Sequence, residues 1–124
     1  MKLLIIFIST ILWAGNYEVK LYETIFTKLF HKKNINVYFQ NHKKINSKIL
    51  KSSSCKDADI VIITHLPNKC KNKPFFVTSY IDYINSNAVG AFYWRKSRPQ
   101  LRLNKKVIKT YNLYLDKSLQ KYAR

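Results

Sequence analysis

The chain has 124 residues and a mass of 14.7 kDa, with 23 Lys and Arg against 6 Asp and Glu, a formal charge of +17. That length allows one domain, and 47% apolar residues are too many for a disordered basic tail; about two-thirds of the unfolded surface of such a domain is buried on folding. A multidomain enzyme, a membrane bundle and a low-complexity linker are excluded, and two Cys are too few for a scaffold built on disulfides.

Met1-Lys2 precedes an apolar run that ends at the small residues Ala14 and Gly15, the pattern of a secretory signal. The run from Leu3 to Ala14 is shorter than the roughly 17–25 residues a helix needs to cross a bilayer. Residues 1–14 are therefore expected to be a signal peptide cleaved after Ala14, with 15–124 as the mature domain. No Cys follows the run, so no lipid anchor is indicated. The alternative is a buried N-terminal strand or helix in a cytosolic protein.

Residues 17–31 place Leu21, Tyr22, Ile25, Phe26, Leu29 and Phe30 on one face of a helix. Glu18 and Glu23 lie toward its start and Lys28, His31 and Lys32 toward its end, matching the helix dipole. Residues 35–40 alternate as a strand, with Asn34 as punctuation. Residues 44–52 are a short, Ser-terminated connector with room for one or two helical turns. Residues 59–64 are almost continuously β-branched and apolar, as in a strand buried on both faces. A strand over 75–79 follows, then a short helical or turn segment through 80–87.

The last third opens with a strand at 88–94, in which Gly90 marks a close backbone approach or a bulge. Residues 95–99 form a turn and 100–103 its partner strand. Asn104 suits the N-cap of a helix over 105–111, and Asp116 caps a final one through Tyr122. The fold class is α/β: a small single-domain sandwich with a mostly parallel sheet, a C-terminal β-hairpin and flanking helices. Only nine residues, 65–73, join the two central strands, below the usual length of a parallel crossover. Fully extended, they still reach about 30 Å, enough to return without a full helix.

Export changes the meaning of the cysteines. Cys55 and Cys70 each lie just before an extended apolar run, so neighbouring parallel strands would bring both to one end of the sheet. An oxidising compartment favours pairing them, and closing such a loop is worth about 3 kcal/mol in the chain-entropy model. Two independent buried thiols are the alternative. The positive charge is of a particular kind: 19 Lys, 4 Arg, spread along the chain. Arg is the residue expected where phosphate or base edges are read closely, so the Lys bias describes a solvated cationic surface rather than a nucleic-acid reader.

The stretch 88–123 resembles the C-terminal end of the YfiR-like family of periplasmic regulatory proteins. Gly90, Leu101, Leu103, Asn104, Leu113, Leu115, Leu119 and Ala123 fall at matching places in its Gly-containing strand, basic turn, apolar-x-apolar-Asn strand end, helix and Leu-rich terminus. The earlier part is similar in the order of its elements. The resemblance implies an α/β domain related to half of a periplasmic solute-binding protein. It also implies regulation by binding, since family members restrain an inner-membrane diguanylate cyclase through its periplasmic portion.

Chemistry at single residues is sparse. Glu18, Glu23, Asp57, Asp59, Asp82 and Asp116 share no paired motif; His31, His42 and His65 lack metal-ligand spacing; only Gly15 and Gly90 are available for a phosphate loop. No enzyme activity, cofactor or metal is implied. Ligands of open α/β sheets sit beyond the carboxyl ends of the strands, where Gln40, Thr64, His65, Ser79 and Tyr80 offer hydrogen bonds to a small polar ligand. The alternative is ordinary polar strand termini. In the hairpin, Tyr93 and Trp94 beside Arg95 and Arg98 have the make-up of a protein-binding hot spot, against a structural hairpin with a solvated turn. The expectation is a non-catalytic periplasmic or secreted protein that binds an inner-membrane sensor protein or another envelope component. A small solute-binding module is the second reading, and nucleic acid is not an expected partner.

Overall fold

Tyr22, Ile25, Phe26 and Leu29 recur on one helical face, and residues 17–30 form that helix, α1, burying all four. The computed structural model describes residues 17–124, so the expected signal at 1–14 lies outside the described residues. α1 stops at His31, whose φ of 52° lies in the left-handed region that commonly ends helices. The His31 ring rests on Tyr114, with centroids 4.5 Å apart, and the Tyr114 N–H donates to the Leu29 carbonyl at 2.9 Å.

Six strands form one sheet: β1 (Ile35–Phe39), β2 (Leu50–Ser52), β3 (Ile60–Ile63), β4 (Phe75–Val77), β5 (Gly90–Arg95) and β6 (Arg98–Leu103). Their order is β2-β1-β3-β4-β5-β6; the first five are parallel and β6 returns antiparallel to β5. Two short helices, α2 (Tyr80–Ile84) and α3 (Lys105–Thr110), and a 3-10 helix (Lys117–Tyr122) flank it. The expected mixed α/β architecture with a terminal hairpin is present. The nine-residue link does join parallel neighbours, since β3 and β4 pair directly.

The hairpin turn is Lys96-Ser97 alone, with Arg95, Arg98 and Pro99 in the strands rather than in a turn over 95–99, and one connector differs in kind. Residues 44–52 carry β2 rather than helical turns. Of its three residues only Leu50 is buried, so there is no period to read. Tertiary contacts place it instead: the Ser47 hydroxyl donates to Glu23 on α1 at 2.6 Å and accepts the N–H groups of Ile49 and Leu50. Asp59 does similar work at the amino end of β1 and β3. It accepts the Asn36 N–H at 2.9 Å and pairs with Lys32 at 2.8 Å.

Alternation divides the core between the two faces of the sheet. Ile35, Val37, Phe39, Ile60, Ile62, Phe76 and Phe92 point toward α1, joined by Leu103, Val107 and Leu119. Val61, Ile63, Phe75, Val77 and Ala91 point the other way, under Ala58, Cys70 and Ala88. The Cys55–Cys70 disulfide lies on this second side, its Cα atoms 5.5 Å apart, at the amino ends of β3 and β4 as their parallel pairing requires.

Gly90 stands at a close approach of backbone and side chains from β4 and β6. A Cβ there would lie 2.6 Å from the Arg102 carbonyl oxygen, 2.7 Å from Cζ of Phe76 and 2.9 Å from Cδ2 of Leu103. Phe76 in turn meets Phe26 and Tyr22 edge-on, at 5.2 and 6.1 Å between centroids.

Local signals close the C-terminal third. The Asn104 side chain accepts the Val107 N–H as N-cap of α3, and Asp116 accepts the Ser118 N–H ahead of the 3-10 helix. The Ser118 hydroxyl, which also donates to the Asp116 carboxylate, and the Ser118 N–H together hold its pKa below the ordinary range. Asn112, at φ 55°, ends α3 in a Schellman arrangement, with Leu113 N–H on Ile108 and Asn112 N–H on Lys109. Lys96 and Ser97 both have positive φ, 51° and 63°, the backbone of a type I′ turn. Pro99 stands in edge strand β6, where a missing N–H is tolerated.

Two substitutions test this packing. Gly90→Ala should destabilise the domain by about 3 kcal/mol in urea unfolding, because backbone as well as side chains must move. Tyr22 has a buried hydroxyl with no hydrogen-bond partner among the described residues, and burial, helped by Glu18, pushes its pKa far up. Tyr22→Phe removes that unsatisfied group and should raise stability by about 1 kcal/mol in the same assay.

Candidate functional site

β1, β3, β4 and β5 all end at the same side of the sheet, and the residues that follow them form its carboxyl edge. The strand order reverses between β1 and β3, the crevice where ligands of such sheets usually sit. Here Gln40 occupies it. Gln40 Oε1 accepts from Thr64 N and His65 N, both at 2.8 Å, and from Thr64 Oγ1 at 3.1 Å. Its Nε2 donates to the His65 carbonyl at 2.9 Å. Gln40 and Thr64 thus spend their side-chain groups on each other and on the backbone, and staple the two strand ends. Only the exposed His65 ring remains directed to no partner within this group.

Ser79 and Tyr80 stand apart from that staple. The Ser79 hydroxyl accepts the Asp82 N–H and caps α2. α2 packs on β4 and β5, yet it leaves Tyr80, Ile81 and Ile84 exposed, Ile81 by 67%. A cavity of about 500 Å³ joins this helix to the hairpin: Thr78, Ser79, Tyr80 and Ile81 line one side, Tyr93, Trp94 and Arg95 the other. Two residue sets that look separate in the sequence, the polar end of β4 and the aromatic hairpin, meet here.

Alternation explains the hairpin aromatics. Phe92 is buried toward α1, and Trp94, on the same face but beyond the core, is 45% exposed. Trp94 leans on Phe92 and Tyr17, at 5.9 and 6.1 Å between centroids. Tyr93 faces the other side and accepts from Arg102 Nε at 3.0 Å. The Arg102 guanidinium also lies 5.1 Å from the centre of the Tyr80 ring. The Tyr93 hydrogen bond holds the Arg102 pKa above its usual value, while burial raises that of Tyr83 nearby. Arg102 therefore fixes Tyr80 and Tyr93 relative to each other. Sequence reasoning missed it; the signal was its place between Leu101 and Leu103, which turns it away from α1, opposite the small Ala91.

Arg95 and Arg98 are exposed and face each other directly across the β5–β6 ladder, with Lys96 at φ 51° in the turn between. Like charges directly opposite destabilise a hairpin, so an acidic surface against this tip would relieve that repulsion. Comparison with family models, with curated proteins and with solved structures finds no match to this chain. The intramolecular disulfide fits an extracytoplasmic protein. Among the described residues no helix is long and apolar enough to cross a membrane.

The staple is open to test. Gln40→Leu should cost about 1–2 kcal/mol, because the Thr64 and His65 N–H groups lose their acceptor. Amide exchange should quicken at those two positions first; unchanged exchange there would show that water replaces Gln40 without loss.

Proposed function

We propose that this chain is a non-catalytic periplasmic protein that regulates an inner-membrane signalling protein by docking on its periplasmic part, the arrangement implied by its resemblance to the YfiR-like family. The partner of first choice is a diguanylate cyclase. The observation that carries the docking is the shared cavity in which Tyr80 and Ile81 of α2 meet Trp94 and Arg95 of the hairpin. Exposed Trp, Tyr and Ile beside Arg are the composition of an interface hot spot, where a few side chains supply most of the affinity. The paired Arg95 and Arg98 favour a partner surface with carboxylates at its rim, and the large positive charge speeds the encounter.

The decisive measurement is binding of the oxidised protein to the purified periplasmic part of a membrane diguanylate cyclase from the same genome. Trp94→Ala combined with Arg98→Ala should weaken binding by about tenfold or more, as should Ile81→Ser, whose side chain supports little of the fold. Unaltered affinity in these variants, with unaltered thermal midpoints, removes the surface from consideration. Absence of binding by the wild-type chain removes the cyclase.

A further inference from the structure

The opposite, amino-terminal end of the sheet holds the larger cavity, about 690 Å³, and nothing in the docking proposal uses it. It is bounded by the loop that leads into β4, by Asn87 ahead of β5, and by α3 after β6. Its wall carries Lys71, Lys73 and Lys106 and no carboxylate. The described acids are engaged or placed elsewhere: Glu18 with Lys43, Glu23 with Ser47, Asp57 with Ser54, Asp59 with Lys32, Asp116 with Ser118, and Asp82 on α2.

Lys73 is the most telling of these residues. Its half-buried ammonium is held by two neutral acceptors, the carbonyls of Lys56 at 2.8 Å and Ala58 at 3.0 Å. Its position is fixed, and among the described residues no carboxylate pairs with it. Two of the four Asn in the wall add to this. Asn68 Oδ1 accepts the Cys70 N–H at 2.8 Å, and Asn104 Oδ1 accepts the Val107 N–H at 3.2 Å. Each of these oxygens has one lone pair engaged by the backbone, and the Nδ2 of each side chain makes no hydrogen bond among the described residues. A concave wall of ammonium and amide donors without a countercharge matches a multiply charged oxyanion. Cys70 lies in the same wall, so the disulfide holds the loop that supplies Lys71 and Lys73.

We propose that this cavity binds a small phosphorylated molecule, through phosphate oxygens held by Lys71, Lys73 and Lys106. The site is independent of the docking surface at the other end of the sheet. A phosphate monoester or diphosphate in solution and a phosphorylated lipid headgroup share this chemistry, and the test separates them.

Inorganic pyrophosphate is titrated calorimetrically into the purified, oxidised chain at physiological ionic strength. One saturable site per chain is expected. Lys71→Ala with Lys106→Ala should weaken it by about tenfold or more. Lys33→Ala with Lys51→Ala removes the same charge from exposed positions away from the cavity and should leave it unchanged. Equal loss in the two double variants would mean that only the general field of a cationic chain is sensed, and the proposal falls. It falls equally if pyrophosphate gives no saturable binding. In a second arm, vesicles containing phosphatidylglycerol are sedimented with the chain. Release by pyrophosphate supports a phosphate site that also accepts headgroups, whereas retention unaffected by pyrophosphate, with no binding in solution, overturns the small molecule, and it points to a lipid surface at the cavity only where Lys71→Ala with Lys106→Ala weakens retention more than Lys33→Ala with Lys51→Ala.

Discussion

The close approach at Gly90 is the constraint on which the rest of this fold depends. Phe76 stands in the middle of the sheet, and its ring needs the volume that any side chain at position 90 would occupy. That ring is the floor on which Phe26 and Tyr22 rest, so the seat of α1 on the sheet is set from below. The missing side chain also lets β6 close on β5, since the Arg102 carbonyl and Leu103 reach into the same space. Parallel core, covering helix and terminal hairpin therefore share one contact.

Chain direction then divides the labour between the two ends of the sheet. All parallel strands start where the disulfide and the lysine-lined cavity lie, and all finish where α2 and the hairpin present aromatic and apolar side chains. The two ends differ in chemistry because different loops supply them. Lys- and Asn-rich segments enter β4 and follow β6, whereas α2, after β4, carries Tyr80, Ile81 and Ile84 and the end of β5 carries Trp94. Gln40 ties the ends of β1 and β3 together at the usual ligand crevice, and the cavity between α2 and the hairpin lies on the far side of the carboxyl edge.

Much of the fold was legible because its signals are local. The face of Tyr22, Ile25, Phe26 and Leu29, the continuous apolar run of β3 and the caps at Asn104 and Asp116 need no distant partner to be read. The positions of Cys55 and Cys70 before two apolar runs were enough to suggest their bridge. β2 was not legible, because three residues with one buried side chain carry no period, and Ser47 and Glu23 place it through contacts across the chain.

The candidate sites show the same division. Composition and pattern determined an α/β domain, a cationic surface and the residues of the aromatic hairpin, since each follows from residue type and spacing along the chain. Only the tertiary structure decided that Gln40 and Thr64 serve as a staple, that Arg102 ties Tyr80 to Tyr93, and that Ser79 and Tyr80 share a cavity with Trp94 and Arg95. It likewise gathered Lys71, Lys73 and Lys106, 33 positions apart between the last two, around one cavity. The reason is physical: hydrogen-bond partners and cavity walls are chosen by strands adjacent in space, and the register between such strands is not written in either one alone.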